Sequence, residues 1–267
     1  MLKDLFGFLV KSKSAHSIDS PTVLGLYTHL HGAHSLDREH VRRIEAYRRK
    51  CHQDISPLSE ESKGLPSRSH VGSKTVATVV ASAVSGRHKC ELLYKIAEHF
   101  KSKDILELGT SLGISTAYLA LPDSVDSVVS IEQSEKLSKM ATSFLHEIDP
   151  SIKLMNMSFK EGLRLLEEDD TSYDLIYIDG DHSYAASLEH LNSCKGLLKD
   201  TGVVIMDDIY WSEQMKKAWI TAKADSSFNM AIDMFYFGLL TKIPKLREPV
   251  HMRVNPFWFK WKLGVWR

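Results

Sequence analysis

The sequence predicts an α/β fold: a largely parallel sheet covered by helices on both faces, preceded by a helical N-terminal extension. Three observations carry this. From about residue 75, short apolar runs ("DILELG", "SVVSIE", "IKLMNM", "YDLIYIDG", "GVVIMDD") alternate with stretches of helical spacing. The runs are continuous rather than alternating, as expected of strands buried on both faces. Acidic residues and glycines collect just after them, where open α/β sheets bind their ligands.

Taken in order, "MLKDLFGFLVKSKSAHS" reads as a short amphipathic helix. Asp4 interrupts its apolar stretch and no small-residue cleavage site follows, so a signal peptide is not expected. "YTHLHGAH" brings His29, His31 and His34 together, but no carboxylate or cysteine nearby completes a metal site. "LDREHVRRIEAYRRKCHQD" predicts a helix with Leu36, Val41, Ile44 and Tyr47 near one face and Asp37 placed to cap its start. Its basic residues read as a solvated face in preference to a phosphate-binding or acidic-partner surface. "SPLSEESKGLPSRSHVGSK" has the composition of a linker, and "TVATVVASAV" and "KCELLYKIAEHF" of helices. Near the end, "MAIDMFYFGLL" and "EPVHMRV" predict two strands that pair antiparallel, because "TKIPKLR" is too short for a helical crossover. The tail "NPFWFKWKLGVWR" alternates aromatic and basic residues. The expected organisation is an extension and linker over residues 1–70, then one domain over 71–267 that ends in the antiparallel strands and the aromatic tail.

Composition bounds the function. Of 267 residues, 43% are hydrophobic and 25% charged, ordinary for a globular chain that buries its own core. The 34 basic and 34 acidic side chains cancel, so no global field draws the chain to nucleic acid or to an anionic membrane. Cys51, Cys90 and Cys194 are far apart, which indicates neither a disulfide framework nor a zinc site and fits a reducing, cytoplasmic setting. No uncharged apolar run reaches the roughly 18 residues of a membrane span.

The chemistry sits at the strand ends. The first run delivers Glu107, Gly109, Thr110, Ser111 and Gly113; the second Glu132; the fourth Asp179, Asp181 and His182; the fifth Asp207 and Asp208. A glycine turn lets a ligand approach the backbone, and the following helix offers free N–H groups. The G-x-x-x-G spacing fits the dinucleotide fingerprint poorly, and the Gly-Lys-Ser/Thr ending of a P-loop is absent. Glu132, ending the next strand, is placed to accept hydrogen bonds from ribose hydroxyls. Glycine turn and acid together favour a nucleoside ligand. His182 is a candidate general base for an acceptor hydroxyl, with a loop hydrogen bond as the alternative. Tyr210, Trp211 and Trp219 either shape an acceptor pocket or pack the core.

In series, "ILELGTSLGISTAYLA", "VVSIE", "YDLIYIDGDHSY" and "GVVIMDDIYW" resemble the class I S-adenosylmethionine-dependent methyltransferases. The likeness is closest to the small-molecule O-methyltransferase branch with the catechol and caffeoyl-coenzyme A enzymes, and within it to the "DGDHSY" subgroup. It covers about residues 75 to 242. It implies a Rossmann-like, seven-stranded methyltransferase sandwich with six strands parallel and one antiparallel at the edge. It implies S-adenosylmethionine as cofactor: Glu107, Gly109 and Gly113 forming its loop, Thr110 and Ser111 near the methionine end, Glu132 on the ribose, and Asp179 beside the sulfonium. Ser85 or Gly86 would approach the same ligand. Ser158 and Phe159 stand where relatives carry a different pair at the adenine. Metal-dependent relatives hold magnesium at positions occupied here by Asp179, Asp207 and Asp208, and three carboxylates at adjacent strand ends could hold such an ion. The activity implied is O-methylation of a small molecule. An NAD-dependent oxidoreductase and a non-catalytic S-adenosylmethionine-binding adapter are the alternatives. No nucleic-acid partner and no transmembrane segment are expected, and a homo-oligomer is compatible with the sequence.

Overall fold

The computed structural model describes residues 2–32, 36–58, 75–82, 84–244, 246 and 248–255. Most of the expected linker, His34 and the aromatic tail from residue 256 onward lie outside the described residues.

A single eight-stranded sheet organises the described chain. Its strands are β1 (Asp104–Leu108), β2 (Ser127–Ile131), β3 (Lys153–Met155), β4 (Tyr173–Ile178), β5 (Leu198–Asp207), β6 (Met230–Asp233), β7 (Phe237–Thr241) and β8 (Val250–Arg253). They lie in the order β3-β2-β1-β4-β5-β7-β6-β8. The continuous apolar runs are explained by their neighbours. Ile105, Leu175, Tyr177, Val203 and Ile205 face one apolar cluster, while Leu106, Leu108, Ile176, Ile178, Val204 and Met206 face the other. Alternate side chains thus enter cores on opposite faces, and neither face of these strands is open to water.

The helices are α1 (Leu2–Lys11), α2 (Pro21–His31), α3 (Arg38–Gln53), α4 (Val76–Ser82), α5 (Arg87–His99), α6 (Ile114–Leu119), α7 (Glu135–Ile148), α8 (Phe159–Glu168), α9 (Tyr184–Gly196) and α10 (Glu213–Ala222). Side-chain oxygens of Ser134, Ser158, Ser183 and Ser212 cap α7 to α10, and Asp37 caps α3 as expected, accepting from the Glu39 N–H at 2.8 Å. The N-terminal helices share the main cores. Val23, Leu26 and Leu30 of α2 pack with Leu92, Leu93 and Ile96 of α5, and Val41, Ile44 and Cys51 of α3 join α4, α6 and α7. Among the described residues, no helix is long and apolar enough to cross a membrane.

The Rossmann-like class holds, with corrections at its C-terminal end. The sheet has eight strands rather than seven, and its antiparallel strand, β7, lies inside between β5 and β6 rather than at the edge. The run "MAIDMFYFGLL" is not one strand but the β6–β7 hairpin. It reverses through Met234 to Tyr236, with Phe235 in the left-handed region at φ 68°. The expected antiparallel pairing of "EPVHMRV" is also not found. β8 pairs with β6 in parallel, because β7 returns to the start of β6 and the connection then passes to the free edge of β6.

Strand order reverses between β1 and β4, so the loops after these strands leave toward opposite faces and open a crevice at their carboxyl ends.

Candidate active site

The loop after β1 is shaped by its backbone. Gly109 has φ 108°, Ser111 φ 49° and Gly113 φ 77°. The N–H groups of Gly109 and Thr110 both donate to the Ile131 carbonyl, and that of Asp179 to the Leu108 carbonyl, so β1, β2 and β4 end together. A Cβ at Gly109 would fall 2.0 Å from the Asp179 carbonyl oxygen, so only glycine fits. Asp181 and Asp208, in the loops after β4 and β5, are also left-handed, at φ 43° and 51°. Ser111, Asp181 and Asp208 thus place left-handed non-glycine backbone in three loops at this edge of the sheet, as is common at functional sites.

Beneath the loop, Glu107 is fully buried. It accepts from the hydroxyls of Thr116 at 2.5 Å and Ser130 at 2.7 Å, and Ser130 in turn meets Thr110 at 2.5 Å. Burial holds its carboxyl above the usual range, against the hydroxyl hydrogen bonds that lower it. Glu132 binds the loop from the side. Its Oε2 accepts from the Ser111 N–H at 2.8 Å and its Oε1 from the Ser134 N–H at 2.7 Å. Burial raises this carboxyl too, opposed by those backbone donors.

These loops surround a cavity of about 470 Å³. Gly109, Ser111, Glu132, Ser158, Phe159, Asp179, His182, Asp207 and Asp208 of the sequence-derived set line it, with Ser85 and Gly86. Glu107, Thr110 and Gly113 do not; they stand behind the loop and fix its shape. At one end Phe159 lies edge-on to His190, ring centroids 5.2 Å apart, and a Cβ at Gly180 would collide with the Phe159 ring. The Nδ1 atom of His190 is buried without a hydrogen-bond partner among the described residues. Ser158 is primarily a helix cap, accepting from the Glu161 N–H. His29 and His31 lie elsewhere, paired with Glu98 and with the Tyr27 carbonyl.

At the other end stand the carboxylates. Tyr177 donates to Asp179 at 3.0 Å, and Asp207 Oδ1 is buried without a hydrogen-bond partner among the described residues. Burial, joined by the charge of Asp179, pushes Asp207 well above the carboxylate range; burial also raises Asp179, against the pull of Lys89. The Lys89 ammonium lies 2.5 Å from Asp207 Oδ2 and 3.2 Å from Asp208 Oδ1. Burial alone would lower this lysine, but the surrounding carboxylates hold it above its ordinary range, so it is a cation. Asp179, Asp207 and Asp208, the residues of the expected magnesium site, do meet, and the Lys89 ammonium bridges Asp207 and Asp208. Among the described residues no group of three His, Cys, Asp or Glu side chains is arranged to hold a metal ion. His182 Nε2 is 3.6 Å from Asp179 Oδ1, too far for a direct hydrogen bond, and its ring tilts against Trp211 at 5.6 Å. Trp211 lines the cavity, Trp219 is core, and Tyr210 donates to Asp233.

Sequence reading missed Lys89, His190 and Tyr236 as lining residues. The signal for Lys89 was present. It stands three, four and seven residues before Leu92, Leu93 and Ile96, and so on the apolar face of α5, where a charge needs a partner.

Residues 106–209 match the family described as a methyltransferase domain. Among curated proteins no relative matches the chain. Among solved structures, the chain is similar to the O-methyltransferase from Bacillus cereus in complex with SAH. That pair shows 16% identity and a TM-score of 0.53 over 82% of this chain and 97% of the other. It is also similar to the O-methyltransferase TomG from Streptomyces achromogenes, involved in tomaymycin synthesis, in complex with SAM. Here identity is 17% and the TM-score 0.54, over 81% and 94% of the two chains. A third likeness is to the SAH-bound Podospora anserina methyltransferase PaMTH1, at 16% identity and a TM-score of 0.53 over 79% and 99%. Residues 106–209 thus resemble a methyltransferase domain, and the chain shares the Rossmann-like fold of these structures.

Proposed function

We propose that the protein transfers a methyl group from S-adenosylmethionine to an oxygen of a small molecule. One observation carries this reading. A glycine loop without room for a side chain, the Glu132 carboxylate at the next strand end and an acidic patch at the following two strand ends all line one cavity. Even with Asp207 held toward its neutral form, Asp179 and Asp208 against one ammonium leave that patch net negative, which suits a sulfonium cation. S-adenosylmethionine, when bound, supplies a methyl carbon whose bond to sulfur breaks as the bond to oxygen forms, the electron pair returning to sulfur.

The chain's own residues bind and orient. Glu132 accepts from ribose hydroxyls while it holds Ser111 and Ser134. Phe159 stacks at the adenine end, beside the unpartnered Nδ1 of His190. Gly109 and Ser111 would hold the methionine portion, and Asp179 would face the sulfonium. His182, at the mouth beside Trp211, takes the proton of the acceptor hydroxyl. Holding both reactants in line supplies most of the rate enhancement. Residues 1–70 we read as an extension closing the faces of the 71–267 domain, supported by the shared α2–α5 core. A cytoplasmic setting is supported by the three free, buried cysteines, with burial pushing the Cys90 thiol up to about 12.

The test is calorimetry with S-adenosylhomocysteine. One site is expected, with a rise in melting temperature equivalent to about 2.7 kcal/mol at a hundred times the Kd. Absence of binding at millimolar ligand would remove the reading.

A further inference from the structure

We propose that the Lys89 ammonium, in place of a divalent metal ion, supplies the positive charge facing the acceptor oxygen, so that transfer by this chain is metal-independent. The acceptor's role rests on the methyl-transfer reading above; the exclusion of metal rests on geometry alone.

Lys89 enters from α5, whose N-terminus at Gly86 opens on the cavity, and its side chain is 13% exposed. Its Nζ bridges Asp207 and Asp208 at the end of β5, faces the charge of Asp179 at the end of β4, and lies 5.6 Å from the Phe237 ring centroid. A magnesium ion would need those same carboxylate oxygens at about 2.1 Å in a near-octahedral shell. It would then stand within a few ångströms of a buried ammonium, and the two cations would repel. For the metal to enter, Lys89 would have to leave a site where it is held by two carboxylates and packed against an aromatic ring.

The ammonium has three donors. Two meet Asp207 and Asp208, and no third oxygen or nitrogen acceptor lies within hydrogen-bond distance of the ammonium among the described residues. Lys89 lines the cavity, and its remaining N–H can hold one oxygen there. When His182 removes the proton of the acceptor hydroxyl, the resulting oxyanion gains a charge-assisted hydrogen bond from Lys89. A divalent ion would instead chelate two neighbouring oxygens. The acceptor class that follows is a molecule presenting a single hydroxyl or other single anionic oxygen, not a vicinal pair.

The test uses the full chain loaded with S-adenosylhomocysteine and Mn²⁺ as the metal probe, read by electron paramagnetic resonance. The parent should show no Mn²⁺ bound at this site up to millimolar metal. Lys89→Met, which frees the carboxylates, should bind Mn²⁺ at least tenfold more tightly, and Lys89→Arg, which keeps the charge, should not. Mn²⁺ should also give catechol no advantage over phenol in binding to the loaded parent. Stoichiometric Mn²⁺ in the parent that is lost in Asp207→Asn, or a catechol preference that appears only with Mn²⁺, overturns the proposal. Should Lys89→Met not fold, the parent and Lys89→Arg titrations decide. Failure of S-adenosylhomocysteine to bind would sink the methyl-transfer reading and leave the Mn²⁺ result standing for Lys89.

Discussion

The carbonyl of Asp179 presses against the Cα of Gly109, leaving 2.0 Å where a Cβ would be. This contact ties the end of β4 to the loop after β1, so one glycine sets the width of the crevice between them. Gly109→Ala combines that collision with a backbone at φ 108°, and the strain alone costs on the order of 1–3 kcal/mol. The variant should lose at least that much stability in denaturant melts and bind S-adenosylhomocysteine far more weakly. Gly196→Ala is the control. It lies at the end of α9 with nothing within 4 Å, and should be neutral or stabilising by up to about 1 kcal/mol. Equal behaviour of the two variants would remove the role assigned to the contact.

Glu132 holds two loops at once, through the N–H groups of Ser111 and Ser134. Charge-assisted hydrogen bonds are each worth about 1.5–3 kcal/mol, so losing one or two from a ligand costs at least tenfold in affinity. Glu132→Gln keeps an acceptor oxygen for one loop and should fold close to normally, yet bind S-adenosylhomocysteine about ten- to a hundredfold more weakly. Titration calorimetry checks this, and unchanged affinity in the glutamine variant would reduce Glu132 to a loop clamp.

Helix α1 is anchored by Phe8, which is 1% exposed and packs its ring 5.4 Å from Phe235 and 6.4 Å from Tyr210. Lys216 adds an ion pair to Asp4 at 2.7 Å. Phe8→Ala should cost about 3–5 kcal/mol if α1 unfolds with the rest of the protein. If α1 opens alone, amide exchange over residues 2–11 should rise without that global loss. Neither change would mean that α1 does not depend on Phe8.

The sheet and the cofactor side of the cavity were legible because they follow from period and position. Buried strands read as continuous apolar runs, and "ILELG" and "VVSIE" put their acids at strand ends whatever the tertiary detail. The C-terminal topology was not legible. The reversal at Phe235 uses a left-handed aromatic residue, which no turn chemistry announces, and the placement of β8 beside β6 depends on which sheet edge is free. The resemblance puts Glu107 in the cofactor loop, but its spacing from Gly109 cannot distinguish a side chain entering the cavity from one supporting the loop beneath. The acidic group was legible, and the Lys89 ammonium beside it was not. Lys89 is ninety residues in sequence from Asp179, the nearest of those carboxylates, and only its place on an apolar helix face marked it.

Glu107 gives a pH-dependent prediction free of the ligand, since it does not line the cavity. Its Oε1 is buried without a partner among the described residues, and burial raises its carboxyl above the ordinary value despite the donors on the other oxygen. In the unfolded chain a glutamate titrates near about 4.3. The folded state therefore holds this proton more tightly. Below that value both states are protonated and no penalty exists. As pH rises, the unfolded chain ionises first, so stability falls until the pH passes the raised folded value, and stays level above it. Glu107→Gln lacks the titration. Its hydroxyl neighbours, Thr116 and Ser130, can rotate to receive the amide. Relative to the parent, the variant should thus gain stability steadily as pH rises from about 4 toward neutrality. Denaturant unfolding of both proteins at a series of pH values measures this difference. A parent–variant gap that is flat with pH would show that Glu107 titrates as it does in the unfolded chain. A gap that moves toward the parent as pH rises would mean that its hydroxyl donors outweigh its burial.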